Sequence, residues 1–309
     1  MNIVFMGTPD FAVPCLDALI KSEHKVIGVF TQPDKPKGRK QILTPPPVKE
    51  LALQNGIEVY QPSSMRTGEA FDIIKKLNPD LIVVVAFGQI LPKEILEFPK
   101  YKCINVHGSV LPKYRGAAPI QQAVLDGEKE SGVTTMLMDE GLDTGDILKI
   151  KKTDIGIDET AGELFDRLSL MGAELMLETI ADADKWNEIR IKQDDSKSCY
   201  AHMLDKSMCK IDWNNSAISV HNQIRGLSPW PVANCIFEGK TLKIHKARLS
   251  DEKGSTAGVV VSTEKNPVVS CGDSNCIELV EVQYEGGKRM KAEDFFRGHK
   301  LNKGEKVFE

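Results

Sequence analysis

Asn105 and His107 stand two residues apart in the stretch Cys103-Ile104-Asn105-Val106-His107-Gly108-Ser109, and Asp143 stands in Asp139-Glu140-Gly141-Leu142-Asp143-Thr144-Gly145. An amide N–H and an imidazole N–H can be aimed at a developing oxyanion, and a carboxylate can orient the ring and carry protons. If the first stretch is a strand, alternation turns Ile104 and Val106 to one face and Asn105 and His107 to the other. A single buried His is more often a neutral ring satisfied by a backbone carbonyl. An Asn and a His sharing one face at a strand's end, followed by Gly108, Ser109 and a proline at 112, favour a site instead. Asp143 meets this pair only if its loop, bracketed by Gly141 and Gly145, folds back over the strand end. Turn chemistry alone would also place Asp and Gly there. A divalent cation is the weaker reading, because the spacing lacks the calcium-loop pattern and no His/Cys cluster accompanies it, so no metal is expected.

These side chains need a sheet to hold them. The apolar run 3–6 ending at Gly7, the helical spacing of 11–20 and the strand 26–30 make an opening βαβ unit. Gly7-Thr8-Pro9-Asp10 lacks the second and third glycines of a dinucleotide fingerprint, which disfavours a nicotinamide cofactor. Gly239-Lys240-Thr241 has no P-loop glycine before it and reads as a hairpin turn. Helices are expected at 48–54 and 68–77, with strands at 57–60 and 80–86. The last is apolar throughout, as a strand covered on both faces must be. Strands at 132–138 and 147–150 flank the Asp143 loop, and 160–181 forms one long helix. In an open α/β sheet, ligands bind beyond the carboxyl ends of the strands, which is where Asn105 and His107 fall. The segment 32–48 carries five prolines and the basic residues Lys35, Lys37, Arg39 and Lys40. It is long for a connection in a compact domain, and its prolines argue for disorder until a partner with phosphates orders it.

From 183 to 207 the chain is polar and reads as a linker. Beyond a helix at 217–227 come short strands and glycine turns at 233–237, 241–248, 258–262, 268–271 and 276–284, the spacing of a small β-barrel. The 309 residues suggest two domains. The expected organisation is a Rossmann-like catalytic domain over 1–182, a linker over 183–207 and a smaller OB-like β-barrel over 208–309.

Composition excludes several classes. With 41% hydrophobic and 27% charged residues the chain is an ordinary globular protein rather than a disordered one. No apolar run approaches the roughly 20 residues of a membrane span, and no basic leader precedes the first strand, so a cytoplasmic protein without membrane attachment is expected. Seven cysteines without C-x-x-C spacing argue for reduced thiols. Net charge is −4. Residues 208–309 hold 15 Lys plus Arg against 13 Asp plus Glu, leaving 25 against 31 for the front. That mild asymmetry is compatible with a tail facing nucleic acid.

Gly7-Thr8-Pro9-Asp10-Phe11-Ala12, Asn105-Val106-His107-Gly108-Ser109, Leu111-Pro112, Tyr114-Arg115-Gly116-Ala117-Ala118-Pro119-Ile120 and Gly141-Leu142-Asp143-Thr144-Gly145 together resemble the methionyl-tRNA formyltransferases. These lie within the larger family of enzymes that use 10-formyltetrahydrofolate as formyl donor, and the resemblance spans nearly the whole chain. It implies that Asn105, His107 and Asp143 are the catalytic set and that the folate lies against Ser109, Val110, Leu111 and Pro112. It also implies that the basic loop, with Arg39 directly after Gly38, meets the acceptor end of the tRNA. The implied reaction moves the formyl group of 10-formyltetrahydrofolate to the free amine of initiator methionyl-tRNA, with no metal and with the enzyme acting as a monomer. Here the substrate amine is the nucleophile, which agrees with the absence of G-x-S-x-G and of a recognisable Cys-His signature. Formyl transfer to a glycinamide ribotide or to a nucleotide-linked amino sugar is the alternative within the class. A non-catalytic RNA-binding protein is the alternative outside it.

Overall fold

A computed structural model describes residues 1–38, 41–306 and 308. The chain forms two compact units that interleave along the sequence, 1–116 with 132–153 and 165–200, and 117–131 with 154–164 and 201–309. The boundaries expected from sequence were contiguous.

The first unit is built on a seven-stranded sheet in the order Ile147–Asp154, Glu130–Leu137, Cys103–His107, Leu81–Val85, Asn2–Gly7, Lys25–Phe30 and Val59–Tyr60. Asn2–Gly7 pairs in parallel with both neighbours, and Leu81–Val85 pairs in parallel with Cys103–His107. Cys103–His107 and Glu130–Leu137 run antiparallel, so the sheet is mixed. Leu81–Val85 is buried along its whole length, as its uninterrupted Leu-Ile-Val-Val-Val predicts. Val4, Met6, Phe30, Ile82, Val84 and Cys103 share one core with Ile74 and Ile95 from the covering helices Gly68–Leu77 and Lys93–Glu97. Cys103 is therefore a packing residue, its thiol pushed up by burial. Val106, on the face away from the site, packs so near the helix Ala161–Ala181 that a Cβ on Gly172 would lie 3.0 Å from its side chain.

Helix Ala161–Ala181 begins with a capping box. The Thr160 amide donates to Glu163 Oε2 at 2.8 Å, and the Glu163 amide donates to Thr160 Oγ1 at 3.2 Å.

Two expectations are corrected. The proline-rich segment contains a β-hairpin: Lys35–Lys37 pairs antiparallel with Ile42–Thr44, Pro36 standing opposite Leu43. Proline is tolerated in a ribbon with two open edges, where a missing N–H faces water. Arg39 and Lys40 lie outside the described residues. The stretch read as a linker is also structured, with short helical turns at Ala183–Lys185, Trp186–Ile189 and Asp195–Lys197. Ile191 exchanges two 2.8 Å main-chain hydrogen bonds with Ile147 at the sheet edge.

The second unit holds an antiparallel sheet in the order Asn234–Phe237, Lys240–Lys253, Asn275–Tyr284, Val268–Ser270 and Val260–Ser262, with Met290–Lys291 added to Asn275–Tyr284. Gly239, with φ +73°, turns the first hairpin where Gly-Lys-Thr is found. The helix Ala217–Gly226 buries Val220 and Ile224 in the same core as Ile244, Ile277 and Leu279. A helix at Ala292–Gly298 was not foreseen and supplies Phe295 to that core.

Candidate active site

Asn105 and His107 project from one face of the strand Cys103–His107, and its pairing opposite Met136 and Thr134 fixes which face that is. Both are buried, at 9% and 6% exposed. Their neighbourhoods differ. The Asn105 side-chain amide makes no hydrogen bond to any described residue, while its main chain is paired in the sheet. Its polar atoms are not sealed from solvent, so the group stands at the strand end free to meet a ligand.

His107 is held through one ring nitrogen. Its Nε2 lies 2.8 Å from the main-chain oxygen of Tyr114. A carbonyl only accepts, so the proton is on Nε2. The other nitrogen, Nδ1, faces Asp143 Oδ2 at 3.7 Å. That distance exceeds a direct hydrogen bond, so the two groups are neighbours that are not closed on each other. The sequence reading allotted an imidazole N–H to an oxyanion. The structure commits the Nε2 proton to Tyr114, so His107 can donate only when Nδ1 also carries a proton.

The loop 139–145 folds back over the strand end and brings Asp143 to this pair. A Cβ on Gly145 would stand 1.7 Å from the Leu137 carbonyl oxygen, so only glycine permits the close return of the chain. Asp139 braces the loop from inside, its Oδ1 accepting from the Gly141 amide at 3.0 Å and from Thr144 Oγ1 at 2.7 Å. Asp143 itself has φ +54°, a left-handed backbone unusual for a residue with a Cβ. Its Oδ2 accepts from the Gly116 amide at 2.8 Å.

Sequence reasoning missed the residues behind this geometry. Gln193, placed in the supposed linker, is 6% exposed and donates from Nε2 to the carbonyls of Asp143 and Gly145, both at 2.8 Å. Its Oε1 accepts from Arg115 Nε at 3.1 Å and Nη2 at 2.8 Å. Arg115 Nη2 also reaches Asp195 at 2.7 Å. The three residues 114–116 therefore serve the site through a carbonyl, a guanidinium and an amide in turn. Arg115 and Gly116 stand in a recognisable motif, but nothing in the polar run around Gln193 marks it as buried.

The turn Ser109 to Pro112 is bound into the fold. Ser109 Oγ donates to the Lys113 carbonyl at 2.7 Å, and Thr134 Oγ1 donates to the Ser109 carbonyl at 2.7 Å and accepts from the Leu111 amide at 3.1 Å. Leu111 packs with Met136 and Ile147, while Val110 and Pro112 stay partly open. An open cavity of about 390 Å³ lies beside Met138 to Gly141, bounded also by Lys93 and Lys102, and touches none of Asn105, His107 and Asp143. Lys35 and Lys37 are exposed on the hairpin, apart from the three site residues in sequence and in element. Among the described residues no group of three His, Cys, Asp or Glu could hold a metal ion, and no helix is long and apolar enough to cross a membrane.

Comparison with known proteins points one way. Residues 1–180 match the formyl transferase family model, and residues 203–300 match that of the formyl transferase C-terminal domain. The chain is 52% identical to the methionyl-tRNA formyltransferase of Clostridium novyi over 304 residues, covering 97% of this chain and 98% of that one. It is 48% identical to the protein of the same name from Alkaliphilus oremlandii over 305 residues, covering 98% of each. Among solved structures, an N-formyltransferase from Helicobacter canadensis in complex with folinic acid and dTDP-3-aminofucose superposes with a TM-score of 0.69 at 25% identity, covering 90% of this chain and 98% of that one.

Proposed function

We propose, from the premise that this chain belongs to the formyl transferase family, that it moves the formyl group of 10-formyltetrahydrofolate to the amine of initiator methionyl-tRNA, giving N-formylmethionyl-tRNA. The observation that carries the chemistry is the side-chain amide of Asn105, without a protein partner, on the same strand face as His107, which has Asp143 3.7 Å away.

The reaction is acyl transfer. The substrate amine attacks the formyl carbon, a tetrahedral intermediate forms, the bond from carbon to the folate nitrogen breaks, and a proton passes from the attacking nitrogen to the leaving one. Asn105 Nδ2–H is the donor for the oxyanion. It has no protein partner to leave, so little reorganisation of the fold accompanies the step. His107, fixed by Tyr114, presents Nδ1 toward the reacting groups. Asp143 takes the proton of the attacking amine and returns it to the leaving folate nitrogen, while Nδ1 of His107 stays beside the carboxylate and orients it. Neither residue needs a metal for these roles.

The folate lies against the 109–112 turn, where Val110 and Pro112 retain exposure. The hairpin 35–44 meets the tRNA through Lys35, Lys37, Arg39 and Lys40, and the antiparallel unit at the carboxyl end holds the RNA backbone. The protein works in the cytoplasm as a monomer. Formylation of a nucleotide-linked amino sugar is the second reading, favoured by the Helicobacter canadensis structure. The near-complete matches at 48% and 52% identity outweigh it. The deciding experiment offers labelled 10-formyltetrahydrofolate together with charged initiator tRNA, charged elongator tRNA, free methionine and dTDP-3-aminofucose. Label is expected in the initiator tRNA; label in the sugar alone would overturn the reading.

A further inference from the structure

We infer that Gln193 is a positioning residue for Asp143, acting on the backbone that carries the carboxylate and not on any reacting atom. The inference rests on the role given to Asp143 above.

The Gln193 side chain has all its strong hydrogen-bonding capacity pointed at defined partners. Its oxygen faces two N–H groups of Arg115, at 3.1 and 2.8 Å. Arg115 has no acceptor atom, so this pairing fixes which end of the amide is oxygen. The NH2 group is thereby turned to the two carbonyls that flank the tip of the loop, those of Asp143 and Gly145. Arg115 and Gln193 are 2% and 6% exposed, which keeps water from competing for either end.

Asp143 needs such support. At φ +54° it sits in the left-handed region, which Asp visits more readily than most residues but which still has competing backbone conformations nearby that its surroundings must exclude. Gly116 holds the carboxylate end and Gln193 holds the main-chain end. With the second tie removed, the peptide after Asp143 is free to turn, and the carboxylate swings about its single remaining anchor. The 3.7 Å approach to His107 Nδ1 is then no longer fixed.

Gln193→Glu is the sharpest test. It keeps the shape, keeps an acceptor for Arg115, and replaces both donors with oxygen that repels the two carbonyls. The expected result is a kcat lower by about 10- to 100-fold, with KM for 10-formyltetrahydrofolate and for methionyl-tRNA within about threefold in a variant that still folds, at some cost in melting temperature. In an Asp143→Asn background the same change should cost nothing further, because the effect passes through Asp143. A raised KM with normal kcat, wild-type turnover, or an equal loss in both backgrounds would each overturn the inference. If Gln193→Glu does not fold, Gln193→Met, uncharged and of similar length, gives the same comparison. Wild-type turnover in Asp143→Asn alone is a different outcome: it overturns the catalytic reading of Asp143, whereas an inactive Asp143→Asn beside a fully active Gln193→Glu overturns only the positioning role.

Discussion

The Gly116 amide donates to Asp143 Oδ2 at 2.8 Å, so a carboxylate from one loop is anchored on the segment whose preceding carbonyl, that of Tyr114, holds His107. Asp143 and His107, from separate elements, thus answer to one short piece of main chain, and a small displacement of that piece moves acid and base together. Such a shared anchor suits groups that must exchange protons with the same substrate.

Asn105→Ala should lower kcat by about 10²- to 10³-fold, the typical loss for one oxyanion donor, with little change in folate affinity. His107→Ala and Asp143→Ala should also act on kcat, and pairs of these changes should cost much less than the product of the singles. Steady-state kinetics with independent folate titration reads this. Normal turnover in any single variant removes that residue from the mechanism.

The neutral His107 ring should carry its proton on Nε2, since its partner there is a carbonyl oxygen. Long-range proton–nitrogen correlation spectra of the labelled protein distinguish the two tautomers. An Nδ1–H signature in the neutral ring would show that the Tyr114 carbonyl does not set the ring.

The hairpin should bind phosphate without contributing much to stability. Ile42 and Leu43 are 62% and 65% exposed, and Lys35 and Lys37 are exposed as well. Replacing Lys35, Lys37, Arg39 and Lys40 by alanine should leave unfolding free energy within about 0.5 kcal/mol. It should also flatten the salt dependence of tRNA binding, by roughly 0.7 to 0.9 in log–log slope for each phosphate no longer neutralised. Initiator tRNA should slow tryptic cleavage at these residues while folate does not. Unchanged slope and unchanged cleavage would leave the hairpin without a role in recognition.

At the base of the hairpin, Lys49 Nζ donates to both oxygens of Asp34 at 2.8 and 2.9 Å, and Gln61 donates to one of them at 2.8 Å. The Lys49 ammonium, then the Gln61 amide, hold the Asp34 carboxyl below the usual carboxylate range. A depressed carboxyl binds fewer protons folded than unfolded, so its support is complete above about pH 4 and is lost as pH falls through its lower folded value. Exchange of the Lys35 and Lys37 amides, corrected for intrinsic rate, should be flat from about pH 5 to 8 and accelerate below about pH 4. Asp34→Asn should show the fast exchange throughout. Identical profiles for the two proteins would remove the ion pair as the hairpin's anchor.

Much of this protein is set by local pattern. Alternation along Cys103–His107 put Asn105 and His107 on one face, the apolar run Leu81–Val85 announced a doubly covered strand, and helical spacing located Gly68–Leu77 and Ala161–Ala181 to within a residue. Gly141 and Gly145 marked a tight loop, because a close return of the chain demands glycine whatever surrounds it. What local pattern cannot carry is an interaction between distant segments whose members look ordinary alone. Gln193 stands in a polar run that reads as solvated, and only the packing of 183–200 against the sheet edge turns it inward to Arg115 and Asp143. Pro36 and its neighbours read as irregular, and the hairpin forms because a two-stranded ribbon leaves the proline an open edge. The direction of the His107 proton depends on Tyr114, seven residues on, whose carbonyl reaches Nε2 only after the turn between them has folded. Residue types and spacing determined which groups were present on the strand and the loop; the tertiary structure decided which of them face each other, because hydrogen-bond geometry is settled by three-dimensional approach and not by sequence separation.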